Sequence, residues 1–130
     1  MIILVDSSVL IDVLRHQRDR EGFLKSMADA GHKLAVTAIN LGEVYGGMFP
    51  HEQAKIDALF ERMEVYPISE ATGRHGGLIK SGWARHGRTL ALDDALIAAV
   101  AIEFGLPLMT DNVRDFPMAE LQLWPLPRVQ

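Results

Sequence analysis

A set of carboxylates falls where short apolar runs end or where helices begin: Asp6, Glu43, Asp93, Asp94, Asp111 and Asp115. Acids brought close together repel one another and take up protons unless a cation neutralises them. Ligation by oxygen alone favours Mg²⁺ or Mn²⁺ over zinc. Other chemistries find no support. The chain has no cysteine, which excludes disulfides, thiolate ligands and a thiol nucleophile. The five histidines form no His-x-x-x-His pair and read as surface residues. Ser7 and Ser8 lack the Gly-x-Ser-x-Gly elbow of a hydrolase, and no G-x-G-x-x-G or Walker pattern follows a strand.

Each acid also has a plainer reading. Asp6 suits a helix N-cap, and Asp93 and Asp94 suit the positive end of a helix. Glu43 sits among Ile39, Leu41, Val44 and Tyr45, where a structural face needs no carboxylate, although an exposed helix position accommodates it too. Asp115 also fits an ordinary loop. Asp12, Asp19, Asp29 and Asp57 fit solvated helix faces or ends and carry no assigned role.

The elements that must position these residues follow from apolar periodicity and its punctuation. Residues 2–5 read as a β-branched strand running into Asp6-Ser7-Ser8, which caps a helix through Val9, Leu10, Val13 and Leu14. A second helix spans 20–30 and stops at Gly31, followed by a buried strand over 34–36. Thr37 or Asn40 then caps a helix through Glu43 that ends at Gly46-Gly47. An amphipathic helix over 51–62 leads to a short edge strand at 65–67, where Pro67 argues against a central position. Residues 69–86 read as a helix despite several glycines, and 93–104 as a helix stopped by Gly105. A last strand over 106–109 ends at Thr110-Asp111. Short apolar strands alternating with helices predict an α/β fold around a mainly parallel sheet. In such sheets ligands bind at the carboxyl ends of the strands, where these acids fall.

The 130 residues suit a single domain over 1–130, and 48% hydrophobic with 23% charged residues is ordinary for a globular protein. The longest apolar run, 95–102, is far shorter than the ~20 residues of a membrane span. The N-terminal run lacks the basic segment of a signal peptide, so a cytoplasmic location with no membrane partner is expected. A net charge of −4 argues weakly against a non-specific nucleic-acid binder.

Four segments together resemble the PIN domain, and within it the VapC-type ribonuclease toxins: LVDSSVLIDVL (4–14), TAINLGEVYGG (37–47), TLALDDALIAAVA (89–101) and GLPLMTDNVRDF (105–116). They cover nearly the whole chain in the family's order. The resemblance implies a three-layer α/β/α sandwich with a five-stranded, mainly parallel sheet. It implies that Asp6, Glu43, Asp94 and Asp115 hold Mg²⁺, with Mn²⁺ a possible substitute, and that Asp111 and Asn112 compete with Asp115 for the fourth corner. Ser7 and Thr110 match hydroxyl residues that support the acids from behind, and Asp93 is an extra neighbour. The implied function is an endoribonuclease toxin restrained by a cognate antitoxin and assembled as a homodimer. One metal ion or two is left open. Those four carboxylates equal the whole charge of −4, which withdraws the objection to an RNA partner.

For substrate grip, Arg74, Lys80, Arg85 and Arg88 lie in an acid-free stretch with Trp83, a pattern that suits a single-stranded backbone and an unstacked base. The same stretch also reads as a solvated helix face with a packed tryptophan, and its glycines permit close approach to a ligand or partner. A PIN-like RNA-processing or RNA-binding module without a toxin role is the second reading; the intact acid set speaks against a module without turnover. A phosphoacceptor receiver domain is rejected, because Asp57 falls within a helix and no lysine follows Lys80.

Overall fold

In a computed structural model, residues 1–127 are described. The elements run β1 (Ile2–Val5), α1 (Ser7–Leu14), α2 (Arg20–Asp29), β2 (Lys33–Thr37), α3 (Ala38–Gly46), α4 (Gln53–Glu61), β3 (Glu64–Tyr66), α5 (Glu70–Ala84), α6 (Leu92–Phe104) and β4 (Leu108–Met109). Single 3₁₀ turns cover Pro50–Glu52 and Val113–Asp115.

The strands lie in the order β3-β2-β1-β4, all parallel. Because side chains alternate along a strand, the sheet feeds two cores. Ile3, Val5, Val36 and Met109 face Val9, Leu24, Val44, Ile56 and Phe60 of α1 to α4. Leu4, Ala35 and Leu108 face Ile97, Ala98 and Ala101 of α6, with Ile79 and Trp83 of α5 packed alongside. The result is three layers. β2 and β3 add on one side of β1 and β4 on the other, so the chain reverses its winding between β1 and β4. A crevice opens outside the carboxyl ends of strands at such a reversal.

The fifth strand expected from the resemblance is absent among the described residues. In its place Leu108 makes one parallel bridge to Leu123, with the Leu108 N–H donating to Gln122 O at 2.8 Å and the Trp124 N–H to Leu108 O at 2.7 Å. Pro125 and Pro127 have no N–H to continue the ladder. The edge position of β3 is as expected.

Glycine in α5 serves packing within the chain. A Cβ on Gly76 would stand 2.6 Å from Leu96 Cδ2 and 3.1 Å from Leu96 Cα of α6, whereas Gly73 and Gly77 have nothing within 4 Å. Gly76 therefore lets the two helices touch, which corrects its reading as a point of approach for a ligand or partner. Gly105 ends α6 with φ of 63°, the left-handed turn that glycine adopts without strain.

Candidate active site

Asp6 leaves β1 in extended conformation and occupies the N-cap position of α1, yet its side chain makes no capping bond. The carboxylate turns across the sheet edge instead. Its Oδ2 accepts from Thr110 Oγ1 at 2.7 Å and from Ser8 Oγ at 3.3 Å. Thr110 directly follows β4, so the β1–β4 crevice places this contact between residues 104 positions apart. The plain capping reading of Asp6 does not hold.

Glu43 is set by the helix that carries it. Thr37 ends β2 and caps α3, and both its backbone N–H and its hydroxyl donate to Asn40 Oδ1 at 2.8 and 2.9 Å. The Asn40 amide, fully buried, donates to Ser7 Oγ at 3.0 Å, and Ser7 Oγ donates to Glu43 Oε1 at 2.7 Å. Asn40 and Glu43 are three apart and so share a helix face. Every donor in this chain of bonds points toward Glu43, fixing one carboxylate oxygen. Sequence reasoning saw Asn40 only as a cap; a polar residue between Ile39 and Leu41 was the available signal.

Asp93 and Asp94 open α6, whose N-cap Ala91 offers no side-chain acceptor. Asp93 Oδ1 takes up the Asp94 N–H at 3.0 Å. Burial and mutual repulsion show that these acids share one field. Burial raises Asp6 above the ordinary carboxylate range, with nearby Asp93 adding to the rise. Burial, then the Asp93 carboxyl beside it, then Asp6 lift Glu43 to about 7. Burial and the charges of Asp93, Asp6 and Asp115 lift Asp94 to about 7. Asp93 thus belongs to the cluster itself.

The fourth corner divides as follows. Asp115, exposed in the Val113–Asp115 turn, faces Asp94 closely enough to raise it. Asp111 turns away: its Oδ1 accepts from Arg20 Nη2 at 2.6 Å and its Oδ2 lies 3.5 Å from Arg18 Nη1. Its backbone N–H donates to Ser8 Oγ at 3.3 Å, and that of Asn112 to Thr110 Oγ1 at 3.0 Å. Both therefore brace the β4 loop, while the Asn112 side chain is exposed.

Asp12 is not on a solvated face. It is 7% exposed and lies 3.6 Å from Arg20 Nε and 3.5 Å from Arg18 Nη1. Arg20, 2% exposed, was not foreseen as a site residue; a lone arginine at a helix start gives no sequence signal of burial. The cations of residues 74–88 are scattered. Arg74 pairs with Glu70 at 2.7 Å, Lys80 donates to the Leu90 carbonyl, and Arg88 donates to the Arg114 carbonyl. Arg85 is exposed, and Trp83 is half-buried against the second core, as its packed reading allowed. Histidine also departs from expectation at His32, half-buried and edge-on to Trp124 at 5.1 Å.

No three of these acids stand at metal-binding geometry among the described residues. The donor chemistry nevertheless fits a hard divalent cation. The ligands on offer are all carboxylate oxygens, no histidine joins them, and Glu43 and Asp94 are lifted to about 7 by burial and by the nearby charges of Asp93 and Asp6.

Comparison with known proteins identifies the family. The PIN domain matches residues 3–119. Ribonuclease VapC10 of Mycobacterium tuberculosis is 37% identical over 119 residues, covering 92% of this chain and 89% of its own length. VapBC2 from Rickettsia felis, solved bound to a DNA fragment from its promoter, superposes with a TM-score of 0.82 at 24% identity, over 95% of this chain and 98% of that one. A toxin-antitoxin complex from Klebsiella pneumoniae superposes with a TM-score of 0.74 at 22% identity, over 93% and 99%. At those identities the two structures speak for the fold. The sequence match over almost the whole chain goes further: this chain belongs to the PIN-domain family, and within it to the VapC ribonucleases.

Proposed function

We propose that this chain is a Mg²⁺-dependent endoribonuclease that hydrolyses RNA phosphodiesters as the toxin of a toxin–antitoxin pair. A cognate antitoxin restrains it, and it works as a homodimer in the cytoplasm. The observation that carries the reading is the gathering of Asp6, Glu43 and Asp94 over the β1–β4 crevice, each pushed upward by burial and by its acidic neighbours. The relatives' names supply the ribonuclease and antitoxin parts of the proposal. No helix among the described residues is long and apolar enough to cross a membrane.

Asp6, Glu43, Asp94 and Asp115 are the residues that would hold the cation, Mg²⁺ by preference and Mn²⁺ in substitution. When bound, it supplies charge neutralisation for a scissile phosphate and activates water. The chain's own part is positional. Ser7 holds Glu43 Oε1 and Thr110 holds Asp6 Oδ2, so each acid keeps its other oxygen for the site. A carboxylate of this cluster is the chain's candidate to accept the proton of an attacking water. In-line attack on phosphorus with departure of the 3′ oxygen leaves a 5′-phosphate and a 3′-hydroxyl. No side chain forms a covalent intermediate.

The test compares wild type with Asp94→Asn on structured RNA, with Mg²⁺ or with EDTA. Cleavage should fall at least about a hundredfold in the variant, the scale on which removal of a catalytic proton-transfer group is felt, and should vanish in EDTA. Undiminished cleavage by the variant would overturn the site. Growth arrest on expression that persists in Asp94→Asn would overturn the toxin mechanism.

A further inference from the structure

The residues chosen from sequence to grip RNA are in large part occupied by the chain itself: Lys80 and Arg88 hold backbone carbonyls and Arg74 holds Glu70. A different cationic and aromatic group stands on the other side of Glu43. Phe49 is 57% exposed, at the start of the Pro50–Glu52 turn. It is held there firmly: Glu52 Oε1 accepts its backbone N–H at 2.8 Å, the Glu52 N–H returns to Phe49 O at 2.9 Å, and Pro50 fixes the next residue. The His51 ring lies parallel to it, 7° apart in plane with centroids 5.9 Å apart. The Arg15 guanidinium stands over the same ring, 5.9 Å from its centre.

We propose that Arg15, Phe49 and His51 form a shelf that takes an unstacked base of a single-stranded RNA while its backbone leads to the acid cluster. The inference rests on the nuclease reading of that cluster. Three observations favour RNA as the occupant. Arg15 and Glu43 line one small cavity together with Met48 and Glu52, so the arginine of the shelf stands next to Glu43. One ammonium flanks it: Lys55 Nζ lies 2.9 Å from His16 Nε2 and donates to Leu14 O at 3.1 Å, beside Arg15 at the C-cap of α1, and its charge adds to the arginine's there. The nearby carboxylates are engaged, Glu52 on the Phe49 N–H, Glu21 at 3.5 Å from His16, and Asp57 on the Tyr45 hydroxyl. A lone exposed phenylalanine needs no explanation. One on a fixed backbone, beneath an arginine and beside an imidazole, has the make-up of a base-stacking platform.

The test measures binding of a fluorescein-labelled single-stranded 12-nucleotide RNA by anisotropy in EDTA, so that binding is read without cleavage. Phe49→Ala should weaken binding about tenfold, within the range of one lost base–aromatic stack, and Phe49→Trp should restore it. Arg15→Ala should flatten the dependence of log affinity on log salt by about 0.7, one single-strand phosphate contact. Lys33→Ala, at the amino end of β2, should leave both unchanged. Both shelf variants should melt with wild type, because Phe49 and Arg15 are exposed. Wild-type affinity in Phe49→Ala, with wild-type RNA binding and cleavage intact, would overturn the shelf and leave the nuclease standing. Loss of antitoxin binding with RNA affinity unchanged would assign the shelf to a protein and overturn the proposal equally. Failure of wild type to bind or cleave RNA would fall instead on the nuclease reading.

Discussion

At the scale of single residues, the site depends on polar groups that are buried and fully directed. Asn40 is the clearest case, since it receives two bonds from Thr37 and gives one to Ser7 while wholly enclosed. Asn40→Ala strands the Thr37 N–H and hydroxyl and frees Ser7 to rotate. The cost should be about 1–3 kcal/mol, the usual penalty for orphaned buried polar groups, read as a lowered urea midpoint. Cleavage by the variant should fall as well. Ser7→Ala separates the two effects: it should lose cleavage with a smaller loss of stability, because the Thr37–Asn40 bonds survive. Equal stability losses in the two variants would show that the Thr37–Asn40 bonds add no stability of their own.

At the scale of elements, two helix contacts decide how the crevice is framed. Arg20, at the start of α2, ties Asp12 of α1 to Asp111 after β4. Removing one partner of a buried ion pair costs roughly 3–5 kcal/mol because the other charges stay buried. Arg18 lies 3.5 Å from both acids, so Arg20→Met should fall at the lower end of that range. Adding Asp12→Leu should recover part of the loss, which a thermal melt of the double variant measures. The α5–α6 contact offers a paired comparison. Gly76→Ala gains about 1 kcal/mol of helix propensity but forces a methyl onto the Leu96 backbone, an overpacking cost of about 1–3 kcal/mol. A backbone atom cannot rotate aside, so the net should be a loss. Gly77→Ala meets nothing within 4 Å and should stabilise by about 1 kcal/mol. The same sign in both melts would contradict the packing.

For the molecule as a whole, the acid cluster links folding to pH and to cation. Glu43 and Asp94 rise from ordinary values of 4.5 and 3.8 to about 7. Between those limits the folded chain holds protons that the unfolded chain has released, so stability falls as pH rises through the window. With EDTA, the contribution of these groups should lower Tm progressively from about pH 4 to pH 7. Mg²⁺ binds the deprotonated acids and only in the folded state, so it should raise Tm at pH 8 far more than at pH 5. A Mg²⁺ effect equal at the two pH values would speak against a carboxylate site.

Much of this was legible before any coordinates, because it depends on local pattern. Short apolar runs marked β1 and β2, glycine marked the ends of α2, α3 and α6, and Pro67 marked β3 as an edge strand. The acids at strand ends marked the crevice, since a parallel sheet leaves little else there. The residue types alone selected a hard cation over zinc or a thiol. What distance along the chain conceals was settled only by folding. Asp12 looked like a solvated helix acid until Arg20 was found beside it, and Asp111 looked like a ligand until the same arginine claimed it. The cations of residues 74–88 looked free until carbonyls at Leu90 and Arg114 were found to hold two of them. A fifth strand was reduced to one bridge by two prolines. Periodicity reports which face a residue takes. Which charge lies opposite is fixed by contacts between residues as far apart as 20 and 111, and those exist only once the sheet has closed against its helices.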